Sequence, residues 1–170
     1  MRTLTLATAF MLAALFGAPA FAVESESCAQ LAATVEKLGV PWELKHEDTI
    51  RELHQCGTAA VPLLIEQLRV VDPDQKNAAW EHAVWCERAL RSITGQYFTF
   101  KSTDSLSQLA EFKSQDDDLG YVMEWMSHAR VYIAPRDVQE QVISAWRAWL
   151  KEHGSSYQVA PFDSYGQWYW

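Results

Sequence analysis

The chain contains no His-Glu-x-x-His, no Gly-x-Ser-x-Gly, no phosphate-cradling glycine loop and no dinucleotide fingerprint. Those absences exclude the motif-bearing zinc peptidases, nucleophile-elbow hydrolases, P-loop enzymes and Rossmann dehydrogenases. It is also poor in basic residues, with 14 Lys and Arg against 22 Asp and Glu and a formal net charge of −8. A chain with that balance does not seek nucleic acid or an anionic membrane surface; a partner with a basic surface suits it better. After residue 16 no second long apolar run follows, so nothing there reads as a membrane span. The chain ends in Trp168-Tyr169-Trp170, as some outer-membrane barrels end in an aromatic residue. Its middle, however, carries helical periods rather than repeated ten-residue alternation, which argues against a barrel.

What is present begins with an export signal. Met1-Arg2 supplies a positive charge, Leu4 to Phe16 an apolar middle, and Ala20-Phe21-Ala22 a small-residue exit. This is the pattern of a cleavable secretory signal, with the cut expected after Ala22. The apolar stretch is short of the roughly 20 residues a spanning helix needs. A lipid anchor is also excluded, because Glu24-Ser25-Glu26-Ser27 precedes the first cysteine, Cys28. The expected location is periplasmic or secreted, with no membrane insertion after cleavage. The expected division is residues 1–22 as signal, 23–153 as one helical domain and 154–170 as an aromatic tail. The leader holds Arg2 and no acid, so the acidic excess grows by one on its removal.

The remaining length supports one domain with a real core. Most of the eight tryptophans should lie in it, since Trp is costly to leave in water. Three cysteines, Cys28, Cys56 and Cys86, allow one bridge in an oxidising compartment. Cys28 and Cys56 are equally far from Trp42. If the segments on either side of Pro41-Trp42 pair as antiparallel helices, the two cysteines sit side by side. Cys56–Cys86 is the main alternative. The cysteine left over would be a small buried apolar residue.

Hydrophobic spacing predicts helices over 26–38, 47–56, 59–70, 76–94, 104–112, 118–130 and 135–152. Over 76–94, Ala79, Ala83, Cys86, Leu90 and Ile93 step by 4, 3, 4 and 3. Over 118–130, Leu119, Val122, Met126 and Ala129 step by 3, 4 and 3. In the last helix Val138, Val142, Ala145 and Trp149 are expected to face inward. Glycines 39, 57 and 95 follow three of these stretches, as helix-ending glycines do. Val131-Tyr132-Ile133 is short and β-branched and reads as extended. The aromatics of residues 154–170 suggest a tail lying against the domain. No strand alternation runs long enough for a sheet, so the expected fold is all-α, built from helical hairpins.

Gly57 and Gly95 lie 38 residues apart behind similar apolar arrangements, a spacing near the period of HEAT-type helix pairs. Gly57-Thr58-Ala59-Ala60-Val61-Pro62-Leu63-Leu64-Ile65-Glu66-Gln67-Leu68 resembles the G-x-x-A-V-P-x-L-I-x-x-L segment of HEAT-like repeats of the phycobilisome-lyase type. Ala89-Leu90-Arg91-Ser92-Ile93-Thr94-Gly95-Gln96 resembles the A-L-x-x-I-T-G-Q end of the next helix in bacterial secreted HEAT-like proteins. Trp146-Arg147-Ala148-Trp149 resembles the W-x-x-W that closes such domains. The close match covers residues 48–98. It implies a short HEAT-like array in which the first hairpin and the region after residue 100 act as unlike caps. Such scaffolds bind many partners, and no lyase activity follows.

Three groups invite a chemical reading. His82 and Cys86 share a helix face and could ligate a metal, but no second ligand pair accompanies them, so no metal and no cofactor is expected. His46-Glu47-Asp48 with His54 offers acids and bases, although helix-end electrostatics accounts for the acids. Asp116, Asp117 and Asp118 precede Tyr121 and Trp125, a mixture of acids and large aromatics suited to a protein-binding patch. No catalytic residue is expected. The expectation is a non-catalytic periplasmic protein-binding domain, in one version an immunity or inhibitor protein against an envelope-acting toxin. Its alternatives are an envelope assembly or maintenance accessory and an unrecognised hydrolase.

Overall fold

The computed structural model describes residues 26–39, 46–72, 78–103, 118–125, 130–154 and 156–162. The signal stretch 1–22, the helix expected over 104–112, Asp116, Asp117 and residues 163–170 lie outside these. The fold is all-α. A 3₁₀ turn, Glu26–Gln30, runs into α1, Leu31–Glu36; α2 is His46–Cys56, α3 Ala60–Gln67, α4 Ala78–Thr94 and α5 Arg136–His153. One short antiparallel hairpin, β1 (Val122–Trp125) with β2 (Arg130–Ile133), interrupts the helices in register Val122 with Ile133. No helix among the described residues is long and apolar enough to cross a membrane.

The first two helices are cross-linked. Cys28 and Cys56 form a disulfide, with Cα atoms 5.6 Å apart, as the spacing around Trp42 suggested. Cys86 is the free, buried cysteine. Acids at Glu47 and Asp48 sit in the first turn of α2, where they complement the helix dipole. Leu38, Ile50, Leu53, Val61 and Leu64 are buried together with Ala83, Leu90 and Ile93 of α4, which packs across α2 and α3.

From Cys86 to Thr94 every residue of α4 is buried. The apolar stripe accounts for one face; the other carries charge inward. Arg91 Nε lies 2.8 Å from Glu87 Oε2, the two side chains being 7% and 0% exposed. Such a pair must be matched, because either charge alone would be stranded in a medium of low dielectric. The Arg91 guanidinium lies 4.9 Å from the Tyr97 ring centroid and that of Arg88 4.5 Å from the Trp85 ring.

Three expectations need correction. The described residues of 118–130 are not helical: Phe100 and Leu119 exchange backbone hydrogen bonds of 2.8 Å in both directions, and Val122–Trp125 pairs with Arg130–Ile133. The 3-4-3 apolar spacing there coincides with a helical period, but strand partners satisfy the backbone instead. The extended reading of Val131-Tyr132-Ile133 holds. Second, α3 stops at Gln67 rather than 70, since Leu68 is extended at φ −67° and ψ 125°. Third, in α5 Val138, Val142 and Trp149 are buried as expected, but Trp146 is fully buried where Ala145 is only half-buried. The ring of Trp146 meets Phe98 edge-on at 4.9 Å.

Residues 156–162 form a strap across the domain. Its Ala160 N–H donates to Ile93 O at 2.8 Å, just before Gly95. His54 Nε2 lies 2.8 Å from Ala160 O, and the Phe162 ring stands edge-on to His54 at 5.1 Å. Arg51 lies over Phe162 at 4.6 Å. Tyr157 packs on Trp149 at 4.7 Å, and burial pushes its hydroxyl up to about 12. The strap passes two helix-end glycines with positive φ, Gly57 at 56° and Gly95 at 66°. A side chain at Gly95 would meet Ala160 Cβ at 3.3 Å. The aromatic tail thus lies against the domain over its described part.

Candidate functional site

The exit of α3 opens a groove on the described surface. Leu68 turns the chain out of the helix in an extended conformation, and residues 68–71 then run beside α5. Two buried side chains hold this exit in place. Gln139, fully buried at the start of α5, accepts from Val71 N–H at 2.9 Å. Its amide donates to Val71 O at 3.0 Å and to Ala134 O at 2.8 Å. Gln139 therefore substitutes for a missing strand partner, satisfying backbone groups that would otherwise be stranded. Tyr121 is the second: its hydroxyl donates to Arg69 O at 2.6 Å. Burial first, and then the negative charge of Glu87, hold this phenol well above its ordinary range, so it stays a donor.

With the backbone of 68–71 pinned inward, its side chains form one wall of the groove. The other wall is a single face of α5, since Glu140, Ile143, Ser144 and Arg147 follow the i, i+3, i+4, i+7 spacing. The groove has a volume of about 390 Å³ and is lined by these four with Leu68, Arg69 and Val70. Leu68 and Ile143 are buried and make an apolar floor. Arg69, Glu140, Ser144 and Arg147 are exposed. Glu140 accepts from Arg136 Nε at 2.9 Å, so its charge is directed along its own helix.

The start of α5 is anchored separately. Asp137 accepts from Thr103 N at 2.6 Å, from Ser102 Oγ and Thr103 Oγ1 at 3.0 Å, and from Val138 N at 2.9 Å. Burial alone would raise its pKa; these hydrogen bonds outweigh it and hold the carboxyl below its usual value. Its four donors occupy it as a structural acceptor rather than leaving it as a proton donor.

The residues singled out in the sequence are distributed differently from the expectation. Asp118 is exposed. Tyr121 is fully buried, so it belongs to the groove's foundation and not to a surface patch with Asp118. Its neighbour Gly120 is buried, and a side chain there would collide with the Tyr97 hydroxyl. Trp125 lies on β1. His46 stacks on Trp85 at 4.3 Å, whereas His54 faces Ala160, so the two histidines serve different interfaces. Asp48 is exposed, and Glu47 pairs with Arg51 at 3.3 Å.

His82 and Cys86 do meet, with Sγ 3.7 Å from Nε2, while His82 Nδ1 lies 2.6 Å from Leu38 O. That carbonyl requires a proton on Nδ1, which leaves Nε2 to accept from the thiol. Burial pushes the Cys86 thiol up to about 12, so it remains protonated and unreactive. Among the described residues no group of three His, Cys, Asp or Glu is placed to hold a metal ion.

Sequence reasoning missed the groove. The early end of α3 and the role of Gln139 were not legible there, because a lone glutamine carries no pattern. Compared with known proteins, the chain matches no family model, no curated protein and no solved structure.

Proposed function

We propose that this chain is a non-catalytic, exported binding domain that seats a segment of another protein in the α3–α5 groove. One observation carries this reading. The groove joins an apolar floor, Leu68 and Ile143, to an exposed polar rim of Arg69, Glu140, Ser144 and Arg147. An apolar centre with a polar, arginine-bearing rim is the anatomy of protein–protein contacts. Its backbone is fixed beforehand by Gln139 and Tyr121, which lowers the ordering entropy of binding. By contrast Glu87, Cys86, Tyr121 and Asp137 are held by structural partners.

The HEAT-like resemblance of residues 48–98 supports the same reading, since such scaffolds serve as binding surfaces. The signal pattern of residues 1–22 supports periplasmic action. The Cys28–Cys56 disulfide is compatible with an extracytoplasmic location. An immunity or inhibitor protein against an envelope-acting enzyme is the specific form we favour, because a groove of this kind can occlude a target without doing chemistry.

A photo-crosslinking amino acid placed at Ser144, with Glu36 at the end of α1 as the control position, tests the proposal in cells that make the exported protein. An adduct to one protein from Ser144 and none from Glu36 supports it. A chain recovered free of adduct at both positions overturns it.

A further inference from the structure

We infer that the α3–α5 groove selects an acidic peptide segment, clamped through its carboxylates by Arg69 and Arg147 while apolar side chains rest on Leu68 and Ile143. This rests on the groove-binding reading above and names the chemistry of its occupant.

The argument is one of local charge against global charge. The chain has 22 acids and 14 basic residues, yet two exposed guanidiniums flank this one groove. Neither is in an ion pair among the described residues. Arg69 donates only to neutral oxygens of Gln67, at 3.4 and 3.3 Å from Nε and Nη2. Such weak contacts orient the group without neutralising it. Glu140, the acid on the same wall, is engaged by Arg136 at 2.9 Å, which offsets its repulsion of an incoming carboxylate. Guanidinium favours carboxylates through paired, parallel hydrogen bonds, and Ser144 adds a hydroxyl beside them. The net negative charge elsewhere disfavours acidic chains that do not fit the groove, so a local basic site becomes selective.

The alternation of floor and rim sets the pattern sought in the occupant. Acidic and apolar residues should follow one another, so that one set meets the arginines and the other the floor. A basic partner surface, the expectation from net charge, concerns the rest of the molecule.

The test uses the full disulfide-bonded protein and three labelled octapeptides followed by fluorescence anisotropy. One alternates Leu with Glu, one Leu with Gln and one Leu with Lys. The Leu–Glu peptide is expected to bind at least about tenfold more tightly than the others, with the advantage shrinking in high salt as screening shortens the reach of charge. The double variant Arg69→Glu with Arg147→Glu is expected to lose that preference and favour the Leu–Lys peptide. Lys37→Glu, exposed beyond α1, changes charge outside the groove and should leave the preference in place. Equal binding of the three peptides, or a preference untouched in the double variant, overturns the inference. A Ser144 adduct to a partner segment without acidic residues also overturns it while leaving groove binding standing. Loss of the Ser144 adduct altogether removes the groove reading itself. Circular dichroism of the double variant checks its fold; the reversed preference for Leu–Lys cannot come from unfolding.

Discussion

His54 on α2 and Ala160 in the strap are joined by a 2.8 Å hydrogen bond from Nε2 to the carbonyl oxygen, across 106 residues of sequence. The same carbonyl's residue binds Ile93 through its N–H. One residue of the strap therefore ties α2 to the end of α4, and the glycine ends of two helices lie beneath it.

Substitution at Gly95 tests this closure. Its φ of 66° disfavours a side chain, and Ala160 Cβ stands in the way. Gly95→Ala is expected to cost about 1–2 kcal/mol of stability, read by thermal unfolding. His54→Ala should cost about 1 kcal/mol, and the two should be less than additive because they release the same strap. Full additivity would show that the strap does not couple the helices.

The disulfide makes a larger contribution. Its ends are 28 positions apart in sequence, so removing it by Cys28→Ala with Cys56→Ala should lower stability by about 3–4 kcal/mol if loop entropy dominates. Denaturant unfolding with and without reductant checks this, since reduction should lower the midpoint of the native protein and leave the variant's unchanged. Cys86 should react with a thiol reagent only on unfolding.

Glu87 and Arg91 should behave as a unit. Glu87→Ala leaves a buried guanidinium without its counter-charge and is expected to cost about 3–5 kcal/mol. Replacing both by methionine should recover most of that loss. Urea unfolding of the single and double variants decides it; a double variant as unstable as Glu87→Ala would mean that the surrounding polar groups, not the pair, set the energy.

His46 gives the protein an acid sensitivity. Its imidazole is held below the ordinary value by burial; Glu81 opposes the shift and Arg88 adds to it. A depressed folded-state pKa means that the unfolded chain takes up the proton first. The contribution is therefore complete above about 6.5, the unfolded value, and is lost as pH falls from there through the folded value. The melting temperature should drop between pH 7 and the mildly acidic range. His46→Phe, which keeps an aromatic ring on Trp85, should flatten that limb; an unchanged slope would assign it to other groups.

The parts of this fold that were legible were those written in local spacing. The stripe of Ala83, Cys86, Leu90 and Ile93 marked α4, and the equal distances of Cys28 and Cys56 from Trp42 marked the bridge. Residues 118–130 misled because Leu119, Val122, Met126 and Ala129 fit a helix by count. The actual partners of Leu119 and Val122, Phe100 and Ile133, are set by tertiary context that spacing does not carry. Tyr121 falls outside the expected acidic patch for a related reason. Tyr121 was read as a surface aromatic, but its ring is buried and its hydroxyl has a carbonyl acceptor in Arg69, and nothing near Tyr121 in sequence announces that. The groove depended on Gln139 and on where α3 stops, both settled by contacts across 68 residues.

The positions of the disulfide and the strap also order the assembly in time. The covalent link needs only residues up to Cys56, so it can close on a chain still being delivered N-terminus first. The strap needs Ala160, so α2 and α4 stay unsealed until nearly the whole length has arrived. Contacts of such separation form late because loop closure must be met before they repay it. In a chain made N-terminus first the covalent link can therefore precede the strap, and α2 and α4 are tied together only once Ala160 is present.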